Sequence, residues 1–216
     1  MEITWYGHSC FRLTERGLAT VVCDPYDHRV VGFESLKLKG DIVTVSHDKP
    51  GHNYLPGVKG EPYLINGPGE YEVGGVFITG IQTNGVSKRD PDELRNTLYV
   101  IQYEGLTVVH LGALNRVPSQ TEVEAMGPVN IVLVPVGGGG SLNSGKAAEI
   151  ISLLEPNIVI PMHYAIPGST IVLDPLKKFI KEMGLAEVAS QPSLKINTGG
   201  SISGETKVVV LDFQSN

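Results

Sequence analysis

The chain has 216 residues, 41% hydrophobic and 19% charged, with a formal net charge of −6. A chain of this length can bury a large core, and it is read as one domain over residues 1–216. The acidic balance argues against a broad phosphate-binding face, so no nucleic-acid partner is expected, while a local cationic pocket stays open.

The first ten residues have neither a basic n-region nor an apolar h-region, so no secretory signal is expected. No apolar run approaches the roughly 20 residues that cross a bilayer, so no membrane partner is expected. Cys10 and Cys23 lie in apolar segments and read as free, buried thiols of a cytoplasmic protein, with a disulfide between them as the alternative. Short β-rich runs bounded by Gly, Pro, Asp or Asn predict strands at 3–6, 11–13, 19–23, 42–45, 63–65, 76–81, 97–102 and 107–110. Glu104-Gly105 predicts a hairpin turn between the last two. The polar segment 85–95 reads as a mobile loop.

After residue 115 the rhythm changes. Ser119 with Glu122 has the pattern of a capping box, opening a short helix that Gly127-Pro128 stops. Residues 131–134 form a continuous apolar strand. Residues 145–154 predict a helix with Ala147, Ile150, Ile151 and Leu154 on one face, and 158–160 another buried strand. Asp174 is expected to cap a third helix with Pro175 at its first position and Gly184 at its end. Strands near 194–196 and 207–212 finish the chain. Strand-rich runs followed by alternating strands and helices suit an α/β (α+β) protein with sheets packed face to face and helices outside.

Several motifs occur in order. Trp-Tyr-Gly-His-Ser-Cys-Phe opens the chain at residues 5–11, and Asp24-Pro25-Tyr26 follows the third strand. The apolar run at 42–45 ends in a loop with His47 and His52. Gly67-Pro68-Gly69-Glu70-Tyr71-Glu72, His110-Leu111-Gly112, Pro135-Val136-Gly137-Gly138 and Pro161-Met162-His163-Tyr164 come after. Together these resemble the lactonase-like branch of the metallo-β-lactamase superfamily, which includes ascorbate-6-phosphate lactonase. The resemblance covers nearly the whole chain. It implies a four-layer αββα sandwich of two mixed sheets, and a hydrolase that activates water between two metal ions about 3.5–4 Å apart.

The resemblance also assigns ligand positions. His47 to His52 is similar to the motif H-x-H-x-D-H, with Lys49 and Gly51 at the second His and the Asp. Lys49 has no lone pair while protonated, and Gly51 has no side chain. Ala113 stands where the family places a bridging Asp, Asn84 where it usually has a His, and Asn143 where many members have an Asp. The residual ligands are then His47 on one ion and His52 with His163 on the other. These departures imply a decayed two-metal site, with no cofactor, that binds a small anionic molecule or a partner through a pocket including His8, Lys49, Asn84 and Asn143. The Lys49 ammonium would stand in for an ion, against the alternative of a solvated loop lysine. The competing implication is a working hydrolase with one Zn or Mn ion on His52 and His163, acting on a lactone, ester or phosphoester. Two imidazoles rarely hold zinc alone, so that reading needs a further ligand such as His8 or Asp24. A third is metal-free hydrolysis with Lys49 as base.

Other signals are weaker. His8 and His110 read as structural or supporting histidines, and His28 as a surface residue. Gly140 to Lys146 spells G-x-x-x-x-G-K, but Ala147 follows where a P-loop needs Ser or Thr. An anion held by that helix start, with Ser141, Asn143 and Ser144 as extra donors, is a milder expectation. No G-x-S-x-G elbow occurs. Homo-oligomerisation stays open.

Overall fold

The computed structural model describes residues 1–83, 95–197, 202 and 204–215. Asn84 and residues 85–94 of the predicted loop lie outside the described residues. In chain order the first half comprises β1 (Glu2–Trp5), β2 (Phe11–Thr14), β3 (Val21–Cys23), α1 (His28–Val31), β4 (Leu38–Lys39), β5 (Ile42–Thr44), β6 (Val58–Lys59), β7 (Tyr63–Ile65), β8 (Gly69–Val73) and β9 (Val76–Gln82). The second half comprises β10 (Thr97–Tyr103), β11 (Leu106–His110), α2 (Gln120–Met126), β12 (Ile131–Pro135), α3 (Ser144–Leu154), β13 (Ile158–Met162), α4 (Leu176–Glu182), β14 (Ser190–Gln191), β15 (Leu194–Lys195), β16 (Lys207–Val208) and β17 (Val210–Leu211).

Two mixed sheets carry the fold. One has the order β15-β1-β2-β3-β5-β7, the other β16-β13-β12-β11-β10-β9-β8. In the first, β1, β2 and β3 are antiparallel and β3, β5 and β7 parallel. In the second, β8 to β11 are antiparallel and β11, β12, β13 and β16 parallel. The parallel strands β3, β5 and β12 are buried at every position, as strands covered on both faces must be. This is the α/β metallo-β-lactamase architecture expected from the motifs. Two tyrosines of β10 tie the sheets together. The Tyr99 hydroxyl lies 2.7 Å from Val45 O and 3.1 Å from Ile65 O, and the Tyr103 hydroxyl 3.0 Å from Ala19 O.

The helices follow local chemistry. At α2 the Ser119 side chain accepts from Glu122 N, while the Glu122 carboxylate takes the Ser119 N–H, so the predicted box forms. At α4 the expectation is corrected: Pro175, not Asp174, is the N-cap, and Met183 rather than Gly184 follows the last helical residue. The Asp174 carboxylate instead pairs with Lys178 Nζ at 2.5 Å. Among the described residues no helix is long and apolar enough to cross a membrane.

Candidate metal centre

The parallel strands all point their C-terminal ends to one edge of the sandwich, where open α/β sheets place their ligands. Asp24 follows β3, Ser46 and His47 follow β5, Ser141 lies in the loop after β12, and His163 follows β13 directly. His8 lies in the turn between β1 and β2, at the same edge, because β1 runs in the same direction as β3. Five described non-glycine residues have positive φ, and three of them meet here: His8 at 49°, Asp24 at 45° and His163 at 53°. Such backbone strain clusters at functional sites because the surroundings must hold it. The surroundings are explicit. The His8 carbonyl accepts from Trp5 Nε1 at 3.1 Å and from His163 N at 3.0 Å, which locks the two strained histidines to each other. Gly137 lets this strand end approach, since a Cβ there would lie 2.2 Å from His163 O.

Among the described residues, His8, His52 and His163 form the group whose donor atoms all lie within 4.8 Å of one another, and all three are buried. Two of the rings have a tautomer set by their partners. His52 Nδ1 lies 2.7 Å from Asp24 Oδ2 and donates to it, which leaves Nε2 as a lone pair. The Ser141 hydroxyl donates to Gly138 O at 2.8 Å, so it must accept from His163 Nδ1 at 3.0 Å. That leaves His163 Nε2 free. His8 Nε2 sits 3.0 Å from His52 Nε2, a contact that needs a proton or a cation between two nitrogens. In a tetrahedral zinc site with Zn–N of about 2.0–2.1 Å, neighbouring nitrogens stand roughly 3.3 Å apart, close to the spacing of this pair.

The electrostatics suit a cation. Burial first, and then the neighbouring histidines, push His8 and His52 well below the usual imidazole range and His163 down to about 4. All three rings are therefore neutral at neutral pH, as metal ligands must be. Asp24 has no solvent exposure. Burial raises its carboxyl, opposed by His110 and by hydrogen bonds from Ser46 N at 2.7 Å and Ser46 Oγ at 2.6 Å. With His52 it accepts three donors, an arrangement that holds a carboxylate behind a ligating imidazole. His110 is fully buried and satisfied, with Nε2 on Ser9 O at 2.9 Å and Nδ1 accepting from Gly112 N at 3.2 Å. It braces the His8 turn, as its reading as a supporting residue implies.

The predicted site residues are placed as follows. His52 and His163 meet, and His8, assigned to the pocket, is the third member. His47 is not in the converging group. Its half-buried ring packs edge-on against His52 at 4.1 Å between centroids, and its Nδ1 has no hydrogen-bond partner. Lys49 is exposed on the turn, so the structure places no ammonium among the three imidazoles; its charge acts on His47 and His52 and disfavours their protonation. Asn143 is exposed and its Oδ1 caps α3 by accepting from Lys146 N at 3.0 Å, which removes it from the pocket. The hydroxyls expected to serve an anion after β12 have other partners. Ser141 is used by His163 and Gly138, and Ser144 Oγ bonds Val136 O. The Ala113 N–H is taken by Asn96 Oδ1 at 2.8 Å, and Asn96 was not singled out from sequence. Cys10 and Cys23 are free and buried. His28 sits at the start of α1, partly exposed beside Asp27. The expectation of no cofactor is not supported: three neutral imidazoles with a carboxylate and a hydroxyl behind them form a donor set that fits one zinc-like ion.

Two mixed sheets with imidazoles gathered at their C-terminal strand ends define a metallo-β-lactamase-fold protein. The chain belongs to the β-lactamase superfamily: the family model described as a β-lactamase superfamily domain matches residues 2–163. It is 30% identical over 210 residues to a UPF0173 protein of Pyrococcus furiosus, covering 85% of this chain and 90% of that one. It is 26% identical over 188 residues to a Thermoplasma acidophilum protein named a UPF0173 metal-dependent hydrolase, covering 76% and 83%. A Thermotoga maritima protein, described as a candidate Zn-dependent hydrolase of the metallo-β-lactamase superfamily, superposes with a TM-score of 0.79 at 34% identity over 97% of each chain.

Proposed function

We propose that this protein is a hydrolase working with a single divalent ion, zinc by preference, held by His8, His52 and His163. The observation that carries the reading is the convergence of three buried imidazoles, two of them oriented by Asp24 and Ser141. When bound, such an ion polarises a carbonyl or phosphoryl oxygen and lowers the pKa of a water. The chain's own residues do the rest. Asp24 keeps the His52 lone pair aimed at the site. Ser141 does the same for His163. His47 packs edge-on against His52 and supports that ring from the side. Exposed Lys49 favours an anionic substrate at the entrance. A small anionic lactone, ester or phosphoester fits these groups, and the opening motifs favour the lactone. We assign the protein to the cytoplasm, in keeping with two free thiols.

A second reading, ligand binding without hydrolysis, is favoured by one observation: Lys49 and Ala113 stand where the sequence pattern puts ligands of a second ion. The test is a zinc titration of untagged protein, followed by assays on lactones and phosphoesters with and without chelator. One bound ion and chelator-sensitive turnover support the hydrolase. One bound ion with tight binding of an anionic molecule and no turnover supports the second reading. No bound ion overturns the hydrolase and leaves the second reading to stand on anion binding alone.

A further inference from the structure

A Cβ built on Gly51 would lie 3.0 Å from His8 Nε2, 3.6 Å from its Cδ2 and 4.0 Å from its Cε1, and these are the three nearest atoms it meets. Nothing else within that reach crowds the position. Gly51 also has no positive φ, so its backbone suits any L residue. The missing side chain therefore answers neither a turn nor a close backbone neighbour. What it leaves free is the place taken by one imidazole nitrogen, on the residue before His52. His8 reaches that place from the β1–β2 turn, held there through its carbonyl by Trp5 and His163.

We infer that Gly51 is the residue that admits His8 to the metal, and that a side chain at 51 and the His8 imidazole are mutually exclusive ligands for the same corner of the site. The inference rests on the metal-centre reading above and adds a determinant of which metal is taken. With glycine at 51 the ligand set is three nitrogens, which suits zinc or cobalt. A carboxylate at 51 in place of His8 would give two nitrogens and an oxygen, a set more tolerant of manganese. Metal–ligand distances tolerate only about 0.2 Å, so even a methyl group at 51, displacing Nε2 by a few tenths of an ångström, perturbs coordination.

The experiment measures zinc and manganese affinity of the full chain by competition with a chromogenic chelator. It adds the visible spectrum of the cobalt-loaded protein and a thermal melt of each variant. Gly51→Ala should lower zinc affinity roughly 10–100-fold, the range seen when a ligand's support is disturbed. It should also change the cobalt spectrum while melting like the parent without metal. His8→Ala should weaken zinc more steeply. Adding Gly51→Asp to His8→Ala should restore binding at least roughly tenfold and shift preference toward manganese, because the carboxylate takes the vacated corner. If Gly51→Ala binds zinc with unchanged affinity and spectrum, or Gly51→Asp fails to rescue, the inference falls even where His8→Ala and His163→Ala both lose zinc; in that case the metal centre itself stands. Unchanged zinc binding in His8→Ala, with loss in His163→Ala, removes His8 from the centre and this inference with it. A parent chain that takes up no zinc overturns both.

Discussion

Asp24 is the residue on which the centre turns. It is buried, strained at φ 45°, and spends its carboxylate on Ser46 and His52. Asp24→Asn keeps the shape but puts an amide where an acceptor is needed; zinc affinity should fall roughly 10–100-fold by calorimetry. Ser141→Ala should cost less, since it removes a neutral partner of His163. The imidazoles also set a pH dependence in metal-free protein. His163 is pushed from 6.5 to about 4, with His8 and His52 lowered as well. Between pH 6.5 and about 4 the unfolded chain takes up protons that the folded chain refuses, so stability falls as pH drops through this window. His163 alone contributes on the order of 3 kcal/mol, readable as a falling melting temperature in chelator. An unchanged melt from pH 7 to 4 would show that the rings are not buried neutral. His52 and His163 were legible as candidate ligands because each follows a strand in a recognisable motif. From sequence His8 reads as a pocket or supporting residue and only as an optional further ligand, because His52 lies 44 residues away and only the sheet brings the two together.

At the scale of elements, the long periodic or wholly apolar segments were readable. Strands β12 and β13 and the amphipathic face of α3 came directly from residue pattern, and the capping box at Ser119 formed as predicted. Ser119→Ala should cost about 1 kcal/mol and lower the melting temperature by about 2–4 °C, with zinc binding unchanged. The two-residue strands β4, β6 and β14 were not readable, because so short a segment has no period and exists only by pairing with a distant partner. Asp174 shows the same limit at a helix start. Its side chain had a choice between the backbone of α4 and Lys178 Nζ, and the ion pair won. Asn143 made the opposite choice and capped α3, which took it out of the predicted pocket.

At the scale of the whole molecule, two sheets must stay in register for the histidines of one to meet those of the other. His8 and His52 lie on loops of the first sheet and His163 on the second. Tyr99 reaches across between them, so Tyr99→Phe should strip Val45 O of its hydroxyl donor, while Ile65 O keeps Val45 N, and cost about 1–3 kcal/mol in chemical denaturation. The motif order made this architecture legible from sequence, but not that His8 joins His52 and His163, which depends on how closely the sheets' loops pack. The proposed hydrolase stands on one metal ion bound where these loops converge. The most direct measurement is the metal content of untagged protein titrated with zinc, beside His163→Ala. One tightly bound ion per chain, lost in the variant, is the predicted result. No uptake at micromolar zinc, or two ions per chain, would contradict it.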